Sequence, residues 1–286
     1  MTVAPAGASR RRLLAAALGG IVAAAALPLR TAVAQQTQSG DPFAQGQSKL
    51  PIQIEADQGI EWRKNEKVYI ARGNATATRG DSTIKADTLT AHYRSRPDGS
   101  SEIFQVEADG HVVMTSPGRK LVGDHAVYDL DQRTVKVTGR DLRIDTGTET
   151  LTARDGIEYQ DSTQLAFAHG NAVVVQKDRQ VTADSMTGHF QRQADGKLQL
   201  VRVEADGNVQ IKTPNTFATG SKGDYDVDKQ VMTLTGDVKV TNGQNQFNGE
   251  FAELNVQTGV SRLVGAPAGS GKVKSLIMPS SSSKTP

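Results

Sequence analysis

Residues 56–139 align with residues 153–236 without a gap. Gly73-Asn74-Ala75 lands on Gly170-Asn171-Ala172, a shift of 97 residues, and Ala86-Asp87 lands on Ala183-Asp184. The pentapeptide VEADG at residues 106–110 recurs at residues 203–207. Tyr128-Asp129 meets Tyr225-Asp226, and Thr138-Gly139 meets Thr235-Gly236. Roughly a third of the paired positions are identical. A duplicated chain builds its two copies alike and stacks them, so the repeat constrains the fold before any local reading does.

Inside each copy a shorter phrase recurs behind a glycine. GNATAT, GHVVMT, GRDLRI, GNAVVV, GNVQIK and GDVKVT begin at Gly73, Gly110, Gly139, Gly170, Gly207 and Gly236. Their apolar residues alternate with polar ones at period two, as in Val112/Met114, Val209/Ile211 and Val238/Val240. The same holds for Val135/Val137 and Met232/Leu234. That is the period of a strand with one buried face. VEADG is expected to be the end of one strand, a turn, and the glycine that starts the next. Its Glu and Asp are then turn residues. Pro97-Asp98-Gly99 and Asp195-Gly196 are expected hairpin turns. No stretch after residue 34 shows helical spacing of apolar residues over three turns.

One-faced strands must cover that face with a second sheet or with their own roll. The predicted class is therefore all-β. Aromatic residues make up only 5% of the chain, fewer than a filled sandwich of this size needs, which points to an interior left partly open as a groove. The alternating Val, Ile, Met and Leu residues named above face that interior, together with Tyr93, Tyr128, Phe190 and Tyr225.

The chain opens with Arg10-Arg11-Arg12, an Ala- and Leu-rich stretch from Leu13 to Leu29, and Ala32-Val33-Ala34. This is the layout of a secretory signal peptide over residues 1–34, cleaved after Ala34, with a membrane anchor as the alternative. Ser9-Arg10-Arg11-Arg12 also approximates a twin-arginine signal, so the export route stays open. Residues 1–34 hold four of the 33 basic residues and no acid. The remainder carries 29 basic and 31 acidic residues, a net charge of −2, with no positive field for nucleic acid. Residues 35–49 are an expected flexible lead. Residues 50–265 are the β domain, and residues 266–286 a Pro/Gly/Ser tail with a last strand at 273–278.

No catalytic constellation stands out. Cysteine is absent, which excludes thiolate chemistry. His92, His111, His125, His169 and His189 are scattered, so no metal site is expected. Tyr128-Asp129-Leu130-Asp131 and Tyr225-Asp226-Val227-Asp228 open like calcium loops, but Arg133 and Gln230 stand where oxygen ligands belong. Turns in which Asp accepts from local backbone N–H groups explain them. No cofactor is implied.

Leu50-Pro51-Ile52-Gln53-Ile54-Glu55-Ala56-Asp57-Gln58 resembles the mature start of the OstA-like periplasmic proteins, the family typified by LptA. The likeness continues through Gly73-Asn74 and Ile84-Lys85-Ala86-Asp87, resumes from Met232 to Val238, and closes with Gly271-Lys272-Val273 to Met278-Pro279. The resemblance implies an elongated, twisted β-jellyroll, open at its ends, in the Gram-negative periplasm. It implies lipopolysaccharide as cargo, received from an inner-membrane complex through LptC and passed to LptD, without catalysis. It also implies strand-to-strand joining at the ends, with head-to-tail self-association. Ile52 and Ile54 are the candidates at one end, and Leu276, Ile277 and Met278 at the other. The family usually carries one set of these phrases and this chain carries nearly two. If the six extra strands divide between two sheets, the roll lengthens by about 15 Å. A structural β-polymer of the envelope and a carbohydrate-active enzyme are the alternative classes. Trp62 alone makes a poor sugar platform.

Overall fold

The computed structural model describes residues 52–194, 198–255, 261–265 and 273–276. The signal peptide, its cleavage after Ala34, the lead over 35–49, the Asp195-Gly196 turn, Ile277, Met278 and most of the tail lie outside the described residues. Every described element is a strand. The first nine are β1 (Gln53–Glu55), β2 (Ile60–Arg63), β3 (Val68–Arg79), β4 (Ser82–Ser95), β5 (Ser101–Ser116), β6 (Arg119–Asp129), β7 (Thr134–Thr138), β8 (Arg143–Asp145) and β9 (Thr150–Thr152). The next nine are β10 (Gly156–Gln160), β11 (Leu165–Gln176), β12 (Arg179–Arg192), β13 (Leu198–Lys212), β14 (Thr216–Asp226), β15 (Val231–Asn242), β16 (Asn245–Asn255), β17 (Ser261–Val264) and β18 (Lys274–Leu276).

All pairings are antiparallel and link each rung to the next along the chain, so the eighteen strands form one continuous sheet. They make fourteen rungs, because four rungs consist of two short strands end to end. β1 and β2 share β3, β7 and β8 share β6, β9 and β10 share β11, and β17 and β18 share β16. The duplication is visible at the strand ends. β3, β4 and β6 begin and end 97 residues before β11, β12 and β14, and β1 stands 97 residues before β9. Even the gaps match: Asp57 and Gln58 donate to the carbonyls of Gly73 and Arg72, and Arg154 and Asp155 donate to those of Gly170 and His169.

The VEADG reading needs correction. The first copy lies wholly inside β5 and the second wholly inside β13. The glycine does not start a strand but creases one. Gly110 has φ +77° and His111 φ +48°, and the register slips there between Asp109 and Val112. The same pair of left-handed residues occurs at Gly73-Asn74, Gly170-Asn171, Gly207-Asn208 and Gly236-Asp237. Each is a bulge that bends its strand and re-aims the side chains beyond it. Glycine is required at Gly110 twice over: the positive φ disfavours a side chain, and a Cβ would strike the Asp87 carboxylate of the adjoining strand.

Asp and Asn residues hold the crease together from rung to rung. Asn74 Nδ2 donates to Asp57 Oδ2 at 2.7 Å, and Asn208 Nδ2 donates to Asp184 Oδ2 at 2.8 Å. His111 Nδ1 sits 2.8 Å from Asp87 Oδ2. The acids of VEADG are likewise strand residues with cross-strand partners. Asp109 meets His125 at 2.6 Å and Asp206 accepts from Lys222 at 2.9 Å. Glu107 and Glu204 lie 3.4 and 3.5 Å from the half-buried His92 and His189. At Gly139 the pattern differs: Arg140 is not left-handed, and the rung is interrupted between β7 and β8, where Leu142 is buried at 2% exposure.

Creasing gives β3, β5, β11, β13 and β15 two arms, and the inward residues of both arms share one apolar interior. Ala71 and Ala75 flank the crease of β3, Ala108 and Val112 that of β5, and Ala205 and Val209 that of β13, all in a single buried cluster. The expected all-β jellyroll is what the chain forms. Its length was underestimated. The rungs follow one another in a single sheet, so the six rungs from β1/β2 to β7/β8 stack singly, and the duplication lengthens the roll by about 29 Å at about 4.8 Å per rung. Three of the expected turns are present: Asp129 accepts from the Gln132 N–H and Asp226 from the Lys229 N–H, and Gly99 closes a hairpin onto Arg96.

Candidate cavity at the seam between the copies

The two copies meet where β7/β8 pairs with β9/β10. Val137 faces Ile157 and Val135 faces Tyr159 across β7 and β10, while Ile144 faces Leu151 across β8 and β9. These six side chains form part of the wall of a cavity of about 720 Å³. That volume falls within the roughly 300–1,000 Å³ typical of small-ligand sites. The first copy contributes Met114 and Leu121 as well, and the second contributes Met186, Leu200, Ile211 and Leu234, among others. Val135 and Val137 thus stand on the last rung of one copy and cover the first rung of the next.

Of the residues expected inside, the cavity wall includes Met114, Val135, Val137, Phe190, Val209, Ile211, Tyr225, Met232 and Leu234. It does not include Tyr93, Val112, Tyr128, Val238 or Val240. Val112 and Val238 are fully buried against neighbouring strands, and Tyr93 belongs to an aromatic stack in the first copy. Half-buried Tyr128 and Val240 complete that set. Sequence reasoning missed Leu121, Ile144, Leu151, Val181, Met186 and Leu200. Their signal was present but out of phase: along β12 the buried residues are Val181, Ala183 and Met186, so period two breaks to three at the bulge.

Few charges enter this wall. Glu149 does so, accepting from Gln176 Nε2 at 2.9 Å, and burial pushes its carboxyl above the ordinary range. Burial likewise raises the Tyr225 phenol. Outside the cavity, Asp161 is a buried carboxylate at 6% exposure. It pairs with Arg133 from the β6–β7 turn and with Arg192 at the end of β12, 2.9 Å away, and so ties the two copies together at one end of the seam. Arg96 and Arg94 hold the half-buried Glu102 carboxyl down to about 2, and Arg94 also binds Asp131 with two bonds of 2.7 and 2.9 Å. Among the described residues, no group of three or more His, Asp or Glu side chains is placed to hold a metal ion.

The family of LptA/(LptD N-terminal domain) LPS transport proteins matches residues 53–164 and, a second time, residues 151–260. The chain belongs to this family. The LPS transport family comprises transport proteins rather than enzymes, and here its domain occurs twice, with the overlap of the two matches falling on the seam. Among solved structures, the chain is similar to LptH from Pseudomonas aeruginosa, the LptA-homologous periplasmic component of its lipopolysaccharide transport device. Identity is 14% over 82% of this chain and 99% of that one, with a TM-score of 0.21, too low to carry an argument. No curated protein matches the chain.

The edge candidates sit on the outermost rungs. Ile54 is half-buried within the outermost rung and Ile52, just before it, is 45% exposed; that rung is paired on one side only among the described residues. Leu276 is 56% exposed at the other end, on β18. The outermost rung at the first end also carries Ile60 and Trp62, 54% and 58% exposed, which the sequence reading did not select.

Proposed function

We propose that this chain is a periplasmic bridge that carries lipopolysaccharide, shielding the acyl chains of lipid A inside the roll while the sugar remains in water. The observation that carries this reading is the apolar seam cavity, walled by alternating residues from both copies of an LPS transport domain. Each exposed methylene costs about 0.8 kcal/mol in water, so an acyl chain crosses an aqueous compartment only under such cover. Uniform rungs of Val, Leu, Ile and Met hold it without a deep minimum in which it would stall. In this reading the chain follows a leader cleaved after Ala34. It takes its cargo from an LptC-like partner of the inner-membrane complex and gives it to an LptD-like partner in the outer membrane. The two ends, with Ile52 and Ile54 as candidates at one and Leu276, Ile277 and Met278 as candidates at the other, join these partners or further copies by strand addition.

The test is native mass spectrometry of the protein purified from a Gram-negative host, combined with photo-crosslinking from position 186. Bound lipopolysaccharide and a lipid adduct at that position are the expected result. Protein that emerges free of lipid, and takes up none when purified lipopolysaccharide is added, would sink the reading.

A further inference from the structure

The seam cavity has a twin. A second pocket of about 70 Å³ lies in the first copy, and its walls stand 97 residues earlier: Ile54 for Leu151, Ile84 for Val181, Leu89 for Met186, and Ile103 for Leu200. Two copies of one fold thus hold one ligand-sized space and one far below the roughly 300 Å³ of a ligand site.

Part of the difference is the seam itself, since Met114, Leu121, Val135, Val137 and Ile144 wall the larger space and nothing equivalent precedes the first copy among the described residues; the part that lies within each copy is aromatic. Tyr69 stands where the second copy has Ala166. Its ring stacks on Trp62 at 5.9 Å and packs against Tyr93 at 5.0 Å with a tilt of 35°, and Trp62 Nε1–H donates to Tyr93 Oη at 2.8 Å, locking the three together. In the second copy the outer pair survives as Tyr159 and Phe190, edge-on at 6.2 Å, and the middle ring is gone. Ala91 in the first copy is Gly188 in the second, which opens the floor a little further. A Tyr ring in place of a methyl group fills the volume an acyl chain would use. Stacked and hydrogen-bonded aromatics also resist displacement more than a lone side chain does.

We infer that Tyr69 occludes the first copy's site, so that the duplicated chain holds its apolar guest at one place per molecule, the seam, and not at two. This rests on the acyl-chain reading for the identity of the guest, but the occlusion itself is a property of the fold. Tyr69 is then the residue that sets how many lipids one chain carries.

The experiment titrates the full chain with the apolar dye 1-N-phenylnaphthylamine and counts sites. One site is expected for the natural protein and for Tyr69→Phe, and two for Tyr69→Ala. The reverse variant, Ala166→Tyr, should lose at least tenfold in dye affinity, and it provides the test if Tyr69→Ala does not fold. Two sites in the natural protein, one site in a folded Tyr69→Ala, or undiminished binding by Ala166→Tyr would each overturn the inference. Lipopolysaccharide is then added as competitor. Failure to displace the dye from any variant counts against the lipid reading and leaves the site count standing on its own.

Discussion

Glu149 occupies the position that Ile52 holds in the first copy, and it brings a carboxylate to the wall of the seam cavity. Burial raises its pKa, so the folded state prefers it protonated. A raised carboxyl contributes stability below its unfolded value, near 4.5, and loses that contribution as pH rises through the folded value. At neutral pH the charged group therefore costs stability. Glu149→Gln keeps an acceptor for Gln176 and should raise the urea midpoint at pH 7, with the gain fading as the pH falls through the raised folded value and gone below about 4.5. A midpoint equally raised at pH 4 and pH 7 would refute the assignment. Glu102 runs the other way: Arg96 and Arg94 hold it near 2, so its contribution is present above the ordinary value and is lost as pH falls towards 2. Neither behaviour was legible in the sequence. Glu149 is one acid among many in a polar stretch, and Gln176, which binds it, lies 27 residues away.

At the scale of the element, the creased strand is the unit of construction. Its inward alternation was readable over each half, as in Val112/Met114, because period two is set by the backbone of a single strand. The crease was misread as a turn because Asp-Gly and Gly-Asn also punctuate hairpins, and only pairing to the neighbouring strand tells a bulge from a chain reversal. The seam is the element without a counterpart elsewhere, and Asp161 is its clamp; the equivalent position in the first copy is Lys64. Arg133 and Arg192 are each about a third exposed, so losing Asp161 should cost less than the roughly 3–5 kcal/mol of a fully buried pair. Asp161→Asn should destabilise the protein by about 2 kcal/mol in urea unfolding, against less than about 1 kcal/mol for the exposed Asp131→Asn. Equal effects from the two would mean that the seam gains nothing from the buried pair.

For the whole molecule, the internal seam shows how one copy's first rung is covered. Ile157, 5% exposed, lies under Val137, whereas its counterpart Ile60, in the first copy's outer rung, is 54% exposed. The free end therefore displays the apolar face that the seam buries. Strand addition at the ends should build head-to-tail assemblies that do not close. Removing residues 266–286 takes away β18 and leaves the opposite end intact. Sedimentation across a concentration series should show weaker self-association for the truncated chain, and an unchanged profile would argue against the end-to-end joint.

The sequence by itself determined the duplication, the strand character and the one-sided burial, because each is a spacing along the chain: 97 residues between copies and two between inward side chains. Family membership followed from the same phrases in the same order. The tertiary structure alone decided that the rungs follow one another in a single sheet, that Met114 and Met186 share one cavity while Val112 and Val238 lie outside its wall, and that the first copy's space is filled. Each of these depends on which strand lies beside which and on how a bulge resets the facing of residues beyond it. Tyr69 shows the limit: the chain places a ring where the second copy has Ala166, but its packing with Trp62 and Tyr93, brought up by β2 and β4, exists only once the strands are paired.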